Sequence, residues 1–409
     1  MRCVMEREER SSPGAGSHRE RTSGKLTLSL TPACPPLPAC AAWPAVREWA
    51  QRRRSCRRAP ALSAAVAPSK EAVDWSCLEG FALIETDNMF VATCKRDGEW
   101  TAGEVKPYGN MALSPAAGCL NYGQGVFEGM KAHRLESGEI VIFRPEDNAA
   151  RMQDGAARMC MPAPPTELFV EAVKKTVAAN ERWVPPTGMG TLYIRPLLIG
   201  TGPILGLAPA PEYTLVVYCS PVAAYFKGGQ LTPIDLAIAD DMHRVGPGGT
   251  GGVKSIGNYA PVLQAQVRAK EGGYADLMYL DAVHNKFVEE VSSCNVFAVK
   301  GKTITTPALK GTILPGITRR SIIQLARDNG FDVVEGDLPI DDLLAADEVF
   351  TTGTAVVVSS VGSMTYKGEK TLYNGGEVGE VTQMLYDHLT QLQVRQREDV
   401  HGWVETVEC

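Results

Sequence analysis

The sequence predicts an α+β protein of two domains. Three observations carry this. Strand-like and helix-like segments follow one another without a regular βαβ alternation. At 409 residues with 44% hydrophobic content, the chain can bury two cores of ordinary size. The stretch AYFKGGQLTP (224–233), rich in small and turn-forming residues, interrupts two series of apolar strands and reads as a linker. The expected division is a leader over 1–67, a smaller α+β domain over 68–223, the linker, and a larger domain over 234–409.

The elements follow in order. FALIETDNMFVATCKRDGEW reads as strands with a turn at Arg96–Gly98. EIVIFRP is a strand running into a helix, with Pro145 suited to its first turn and Glu146 and Asp147 at its positive end. In TELFVEAVKKTVAANERW, the residues Phe169, Ala172, Val173 and Val177 recur on one helical face. TLYIRPLLIG and YTLVVYCSP are apolar enough for buried strands, and GPILGLAPAPE between them is a loop. Beyond the linker come the strand IDLAIAD, a glycine-rich loop and the helix NYAPVLQAQVRAKEGG. DLMYLDA and FVEEVSSCNVFAVK read as strands. ITRRSIIQLARDNG is a helix with Gly330 as its C-terminal cap, and DEVFTTGTAVVVSSV is a strand followed by a tight turn.

The net charge of −6 is unevenly spread. Residues 1–66 carry 12 Lys+Arg against 5 Glu, whereas the rest carries 29 against 42 Asp+Glu. An acidic body argues against nucleic acid as the main partner. No apolar run approaches the ~18 residues of a membrane span. The basic start, with RRRSCRR and many Ser, Ala and Pro, reads as an organellar targeting segment rather than a secretory signal. Four of the eleven cysteines (Cys3, Cys34, Cys40, Cys56) fall in it. The other seven are scattered without a CxxC pair or a histidine cluster, so no metal site is expected.

GPGGTGGVKSIGNYAP (246–261) sets five glycines just ahead of one lysine, Lys254. A phosphate-binding loop of the G-x-x-x-x-G-K-[ST] kind fails because Val253 stands where that motif needs glycine. The other chemistry is covalent: a lysine that condenses with an aldehyde coenzyme such as pyridoxal phosphate. That coenzyme needs an anion cup and a carboxylate at its ring nitrogen. The turns LPGITRR and TTGTA offer glycine, threonine hydroxyls and backbone N–H groups, and the first opens a helix. Glu289 and Glu290 are the candidate carboxylates. Adjacent strand residues face opposite ways, so one of them points at the ring, and spacing does not say which.

The body resembles the branched-chain-amino-acid aminotransferases, in the fold-type IV class of pyridoxal-phosphate enzymes. LNYGQGVFEGMKAHR, FRPEDNAARM, LYIRPLLIGTGPILG, GGVKSIGNYAP, EEVSSCNVF, TILPGITRR and DEVFTTGTA carry the resemblance, in order, over about residues 74–390. The plant plastid members are the most similar. The resemblance implies Lys254 as the Schiff-base lysine, Glu290 as partner of the pyridine nitrogen, and Tyr259 near the phenolic oxygen. It implies Arg151, Ile317, Thr318 and Thr354 as the phosphate cup. On the substrate side it implies Tyr122, Phe127, Tyr193, Arg195 and Tyr225, with the Ala355 N–H at the α-carboxylate. Arg195 also stands out by itself, because an arginine inside LYIRPLLIG is costly to bury without a partner.

The expected reaction is reversible transamination between L-Leu, L-Ile or L-Val and 2-oxoglutarate. Lys254 would act as the base at Cα. Discrimination among the three donors should be slight, since one methylene is worth ~1–3 kcal/mol. A homodimer and plastid location, with the mitochondrion as alternative, are further implications. A D-amino-acid transaminase or aminodeoxychorismate lyase is the nearest rival. A nucleotide-binding protein built on the glycine loop is the rival of another class. One departure is visible: the CxxC pair that some animal members carry after the GTA turn is replaced by TAVVVSSV.

Overall fold

The computed structural model describes residues 73–224 and 230–409. The expected leader and the residue Tyr225 lie outside these described residues.

The first half of the chain builds β1 (Asn88–Lys95), β2 (Glu104–Pro107), α1 (Gly118–Tyr122), β3 (Gly125–Phe127), β4 (Met130–Arg134) and β5 (Ile140–Phe143). It continues through α2 (Pro145–Arg158), α3 (Thr166–Ala179), β6 (Gly190–Gly200) and β7 (Glu212–Ala223). The second half opens with β8 (Ile234–Ala239), α4 (Leu263–Glu271), β9 (Asp276–Leu280), β10 (Val288–Val291), β11 (Asn295–Lys300) and β12 (Thr303–Pro307). Then come α5 (Ile317–Asp328), β13 (Asp332–Gly336), α6 (Ile340–Leu344), β14 (Glu348–Gly353), β15 (Val357–Tyr366), β16 (Glu369–Leu372), α7 (Glu380–Gln393) and β17 (Val404–Val407).

Two sheets result. The first has the order β17-β5-β4-β6-β7-β1-β2, with β3 also paired to β6. The second runs β10-β9-β8-β15-β14-β11-β12-β13, with β16 on β15. The last strand, β17, returns to pair with β5 of the first sheet. Most neighbours are antiparallel, but β8 pairs in parallel with β15 and β9. This is α+β rather than alternating α/β.

Local chemistry explains the elements that frame the site. In β6 burial alternates, with Leu192, Ile194 and Leu198 inside and Tyr193 and Arg195 half-exposed on the opposite face. Helix α2 starts on Pro145 with Glu146 and Asp147 in its first turn and Arg158 in its last, each charge favourable to the helix dipole. Phe169, Ala172, Val173 and Val177 of α3 are buried in the first core. Helix α5 ends in a Schellman arrangement: Gly330 has φ +77°, its N–H donates to the Arg327 carbonyl, and the Phe331 N–H donates to that of Ala326. Val141 and Phe143 of β5 pack with Phe297, Ile322 and Leu385, so β5 is apolar on both faces.

Three elements differ from the sequence reading. Only β1 forms within 81–100; ahead of it Phe81 and Leu83 are exposed, and the Ile84 N–H donates to the Ser220 hydroxyl instead of joining a ladder. The helix expected from Asn258 starts at Leu263, because Pro261 disfavours helix before it and Asn258 is engaged in the glycine loop. FVEEVSSCNVFAVK is a hairpin, not one strand: β10 and β11 meet at Glu290 and Asn295 around a turn at 292–294.

Candidate active site

The glycine loop is a packing device. The Gly252 N–H donates to the Gly311 carbonyl at 2.9 Å. A Cβ on Gly251 would collide with the Thr312 carbonyl and with Val245. The glycines thus let residues 249–252 lie flat against the loop that leads into α5. Asn258 locks the far side, donating to the carbonyls of Thr250 (2.8 Å) and Val253 (2.9 Å) and accepting from the Thr250 hydroxyl (2.6 Å). On the other flank the Phe127 N–H donates to the Lys254 carbonyl at 3.1 Å, tying β3 of the first sheet to the lysine.

The side chain of Lys254 is therefore held at one place. Its Nζ donates to the Tyr259 hydroxyl at 3.1 Å and lies 4.7 Å from the centre of the Phe127 ring. Burial lowers the pKa of the amine, and the nearby Arg151 charge lowers it further. Tyr259 moves the other way: burial pushes its phenol up to about 12. Phe127 and Tyr259 meet edge to face at 5.0 Å.

The two adjacent carboxylates have different partners. Glu289 accepts from the Thr312 hydroxyl at 2.6 Å. Glu290 sits 2.6 Å from the Arg244 guanidinium and accepts from the Leu314 N–H at 3.2 Å. Burial raises the Glu290 carboxyl to about 7, while the Arg244 charge opposes that rise. Arg244 also donates to the carbonyls of Ser292 and Thr312, at 3.3 and 3.5 Å, so it joins the β10–β11 turn to the loop under the glycines. Sequence reasoning missed Arg244; its only signal was a cationic residue in HRV at the end of an apolar strand.

Arg151 lies on the buried face of α2 and is held by Glu128. Its Nε and Nη2 donate to the two carboxylate oxygens at 2.8 and 2.6 Å, and Nη1 donates to the Pro315 carbonyl at 3.2 Å. Asn148 and the Gly129 N–H complete the shell around Glu128, which has no exposed surface. Glu128 was also missed, although it stands in the quoted stretch LNYGQGVFEGMKAHR. Ile317 and Thr318 occupy the buried first turn of α5. The residue before them is Gly316, and no side chain caps that helix start. Its opening N–H groups are thus available to an anion.

The β14–β15 turn closes the same region. The Thr354 hydroxyl donates to the Gly129 carbonyl at 3.2 Å. The Ala355 carbonyl accepts from the Lys131 ammonium at 2.7 Å. Burial lowers Lys131 to about 8. Val357 follows with φ +61°, a strained conformation for a β-branched residue.

Strand β6 brings Tyr193 and Arg195 to one face. The Arg195 guanidinium lies 4.7 Å from the centre of the Phe127 ring, and its Nη2 donates to the Tyr193 hydroxyl at 3.5 Å. Its Nε is buried and finds no hydrogen-bond partner among the described residues. Phe127 thus carries a cation at 4.7 Å twice over, Lys254 and Arg195. Tyr122 stands apart, 40% exposed at the end of α1, with its hydroxyl donating to the Leu205 carbonyl.

The residues fit pyridoxal phosphate. A buried amine of lowered pKa, a carboxylate backed by arginine, and an uncapped helix start beside a second arginine are the three features that coenzyme requires. Among the described residues no cluster of His, Cys, Asp and Glu could hold a metal ion, and no helix is long and apolar enough to cross a membrane.

Fold and site together define a pyridoxal-phosphate enzyme of fold-type IV. Residues 125–364 match the model of the class IV aminotransferases, and the chain belongs to that family. It is 60% identical over 331 residues to branched-chain amino acid aminotransferase 2, chloroplastic, of Humulus lupulus, covering 81% of each chain. It is 56% identical to branched-chain-amino-acid aminotransferase 5, chloroplastic, of Arabidopsis thaliana, covering 85% of this chain and 84% of that one. Among solved structures, the branched-chain aminotransferase of Escherichia coli is similar at 27% identity and a TM-score of 0.69, over 79% of this chain and all of that one. The T.th. branched-chain aminotransferase complexed with N-(5′-phosphopyridoxyl)-L-glutamate is similar at 27% identity and a TM-score of 0.65, over 80% of this chain and all of that one.

Proposed function

We propose that this chain is a plastid branched-chain-amino-acid aminotransferase that moves the amino group of L-Leu, L-Ile or L-Val to 2-oxoglutarate. The observation that carries the reading is the Lys254 amine, buried beside the Tyr259 hydroxyl at 3.1 Å, in a chain whose relatives of 55–60% identity bear that activity in their names. Those relatives are also named chloroplastic.

When bound, pyridoxal phosphate supplies an aldehyde for the amine and a ring that takes up the electrons left as the Cα proton departs. The rest belongs to the chain. Lys254 Nζ, kept neutral more easily by its burial, accepts the substrate Cα proton as general base. The Tyr259 hydroxyl fixes the direction of that amine. Glu290 would hold the proton at the ring nitrogen, and Arg244 beside it opposes the effect of burial on that carboxyl. The uncapped first turn of α5 at Ile317 and Thr318 would hold the phosphate, with Arg151 and the Thr354 hydroxyl as the further candidates beside it. Phe127, Tyr193 and Tyr122 are the candidates to contact the substrate side chain, with the Ala355 N–H for the α-carboxylate; Tyr225 lies outside the described residues.

The unpartnered Arg195 Nε supports 2-oxoglutarate as acceptor, since a second carboxylate would satisfy it. The glutamate adduct named for the T.th. structure supports the same choice. The two-domain reading, 68–223 and 234–409 about a linker at 224–233, belongs to this proposal, as does a homodimer. Each segment supplies most of one sheet.

Borohydride reduction of the purified holoenzyme, followed by peptide mapping, tests the core of the proposal. The label is expected on Lys254, and L-Leu, L-Ile and L-Val should each serve as donor with 2-oxoglutarate. A label on another lysine, or a panel in which only D-amino acids react, overturns it.

A further inference from the structure

Behind the first turn of α5 lies a cavity of about 370 Å³ that the reaction does not use. Arg144, Arg319, Arg320, Arg327, His401 and Trp403 are among the residues that line it. Pro315 lines it too, and its carbonyl accepts from Arg151 Nη1, so this cavity and the coenzyme site share that stretch of backbone.

Its charges do not balance. Asp147 serves both Arg144 (2.5 Å) and Arg320. Glu335 serves both Arg319 (3.1 Å) and Arg327 (3.3 Å). His401 is taken by Asp328 at 2.8 Å. Four guanidinium groups therefore share two carboxylates, and even with the Asp328 carboxylate beside His401 counted a positive charge remains at the cavity. Arg319 is only 3% exposed, and its Nε is buried without an acceptor among the described residues. A buried donor left unpaired costs ~1–3 kcal/mol. Arg144 is held in place by stacking on Trp403 at 4.5 Å and by donating to the Ser321 hydroxyl at 2.9 Å.

We propose that this cavity is a binding site for a phosphate dianion, either free or as a phosphate monoester, distinct from the coenzyme site. Guanidinium forks present paired donors that match phosphate oxygens. A tetrahedral dianion can meet several of them from different sides and neutralises the surplus. Because Arg319 and Arg320 are the third and fourth residues of α5, occupancy bears on the helix start where Ile317 and Thr318 stand. That consequence rests on the functional reading above; the binding itself does not.

Calorimetric titration of the holoenzyme with orthophosphate, and separately with a simple alkyl phosphate, tests the site at constant ionic strength. The comparison is the double variant Arg320→Gln/Arg327→Gln. Those two side chains are 55% and 48% exposed, so the fold should survive their loss, and the buried Arg144 and Arg319 keep their carboxylates. Saturable binding of one anion per chain is expected, weakened at least about tenfold in the double variant. The Arg320→Lys/Arg327→Lys variant should bind with intermediate affinity. Binding of orthophosphate alone assigns the free ion, and comparable binding of the ester assigns the monoester. The absence of saturable binding, or binding unchanged in the double glutamine variant, overturns the proposal. The titration reads this cavity whether or not the label falls on Lys254, so the two readings fail separately.

Discussion

The Arg244 guanidinium lies 2.6 Å from the Glu290 carboxylate, and both side chains are 3% exposed. A carboxylate this deep loses its charge unless a cation stands beside it. Arg244 is thus a positioning residue whose effect passes through Glu290. Replacing it with Gln leaves the carboxyl buried and unpaired. Removing one partner of a buried pair costs about 3–5 kcal/mol. The Arg244→Gln variant should melt lower, bind pyridoxal phosphate more weakly and show its coenzyme absorbance at altered pH. Arg244→Lys should restore part of each. An unchanged spectral pH profile would remove Arg244 from this role.

Substitution of Arg195 should separate the two half-reactions. Its free Nε bears on a substrate with a second carboxylate and not on an aliphatic amino acid. Arg195→Gln should raise KM for 2-oxoglutarate by about 10–100-fold, as the loss of a charged hydrogen bond of ~1.5–3 kcal/mol implies. Single-turnover reaction with L-Leu should change little. Equal damage to both half-reactions would show that Arg195 acts on the fold or on the α-carboxylate instead.

Gly251 and Gly257 stand in the same loop with opposite surroundings. A Cβ at 251 meets the Thr312 carbonyl, whereas at 257 its nearest neighbour is the Ser255 hydroxyl at 3.8 Å. Gly251→Ala should destabilise by about 1–3 kcal/mol and reduce activity, because the displaced strand of loop carries Lys254. Gly257→Ala should stay within about 0.5 kcal/mol. Thermal melts of the two variants decide the matter.

Lys131 gives a pH signature. Its amine has a folded pKa of about 8, below the ordinary 10.5. Between those values the unfolded chain binds a proton that the folded chain does not, so this group makes stability rise with pH across that window. The urea midpoint of wild type should carry this rising contribution from pH 8 upward, and Lys131→Met should lack it. If the pH dependence is identical in the variant, the Lys131 amine is not desolvated as described.

How much of the site was legible follows from the kind of signal each residue gives. Lys254 was visible because five glycines precede it, and its covalent role was implied by the resemblance of the flanking motifs. The glycines turned out to serve close backbone approach to Gly311 and Thr312, which no local pattern announces. Glu290 was one of two equal candidates by strand alternation; the Arg244 contact distinguishes them in space. Glu128 and Lys131 were inside a quoted motif, yet their partners Arg151 and Ala355 lie 23 and 224 residues along the chain.

By itself the sequence determined the α+β class, most of the apolar strands and helices, and Lys254 as the candidate amine for a pyridoxal coenzyme. These are local properties, set by residue periodicity and by the chemistry of each side chain. Tertiary structure decided which charges pair, that β17 returns to the first sheet, and that two arginine pairs meet at one cavity behind α5. Those outcomes depend on contacts between residues far apart in the chain, whose energies exist only once burial has removed the water between them.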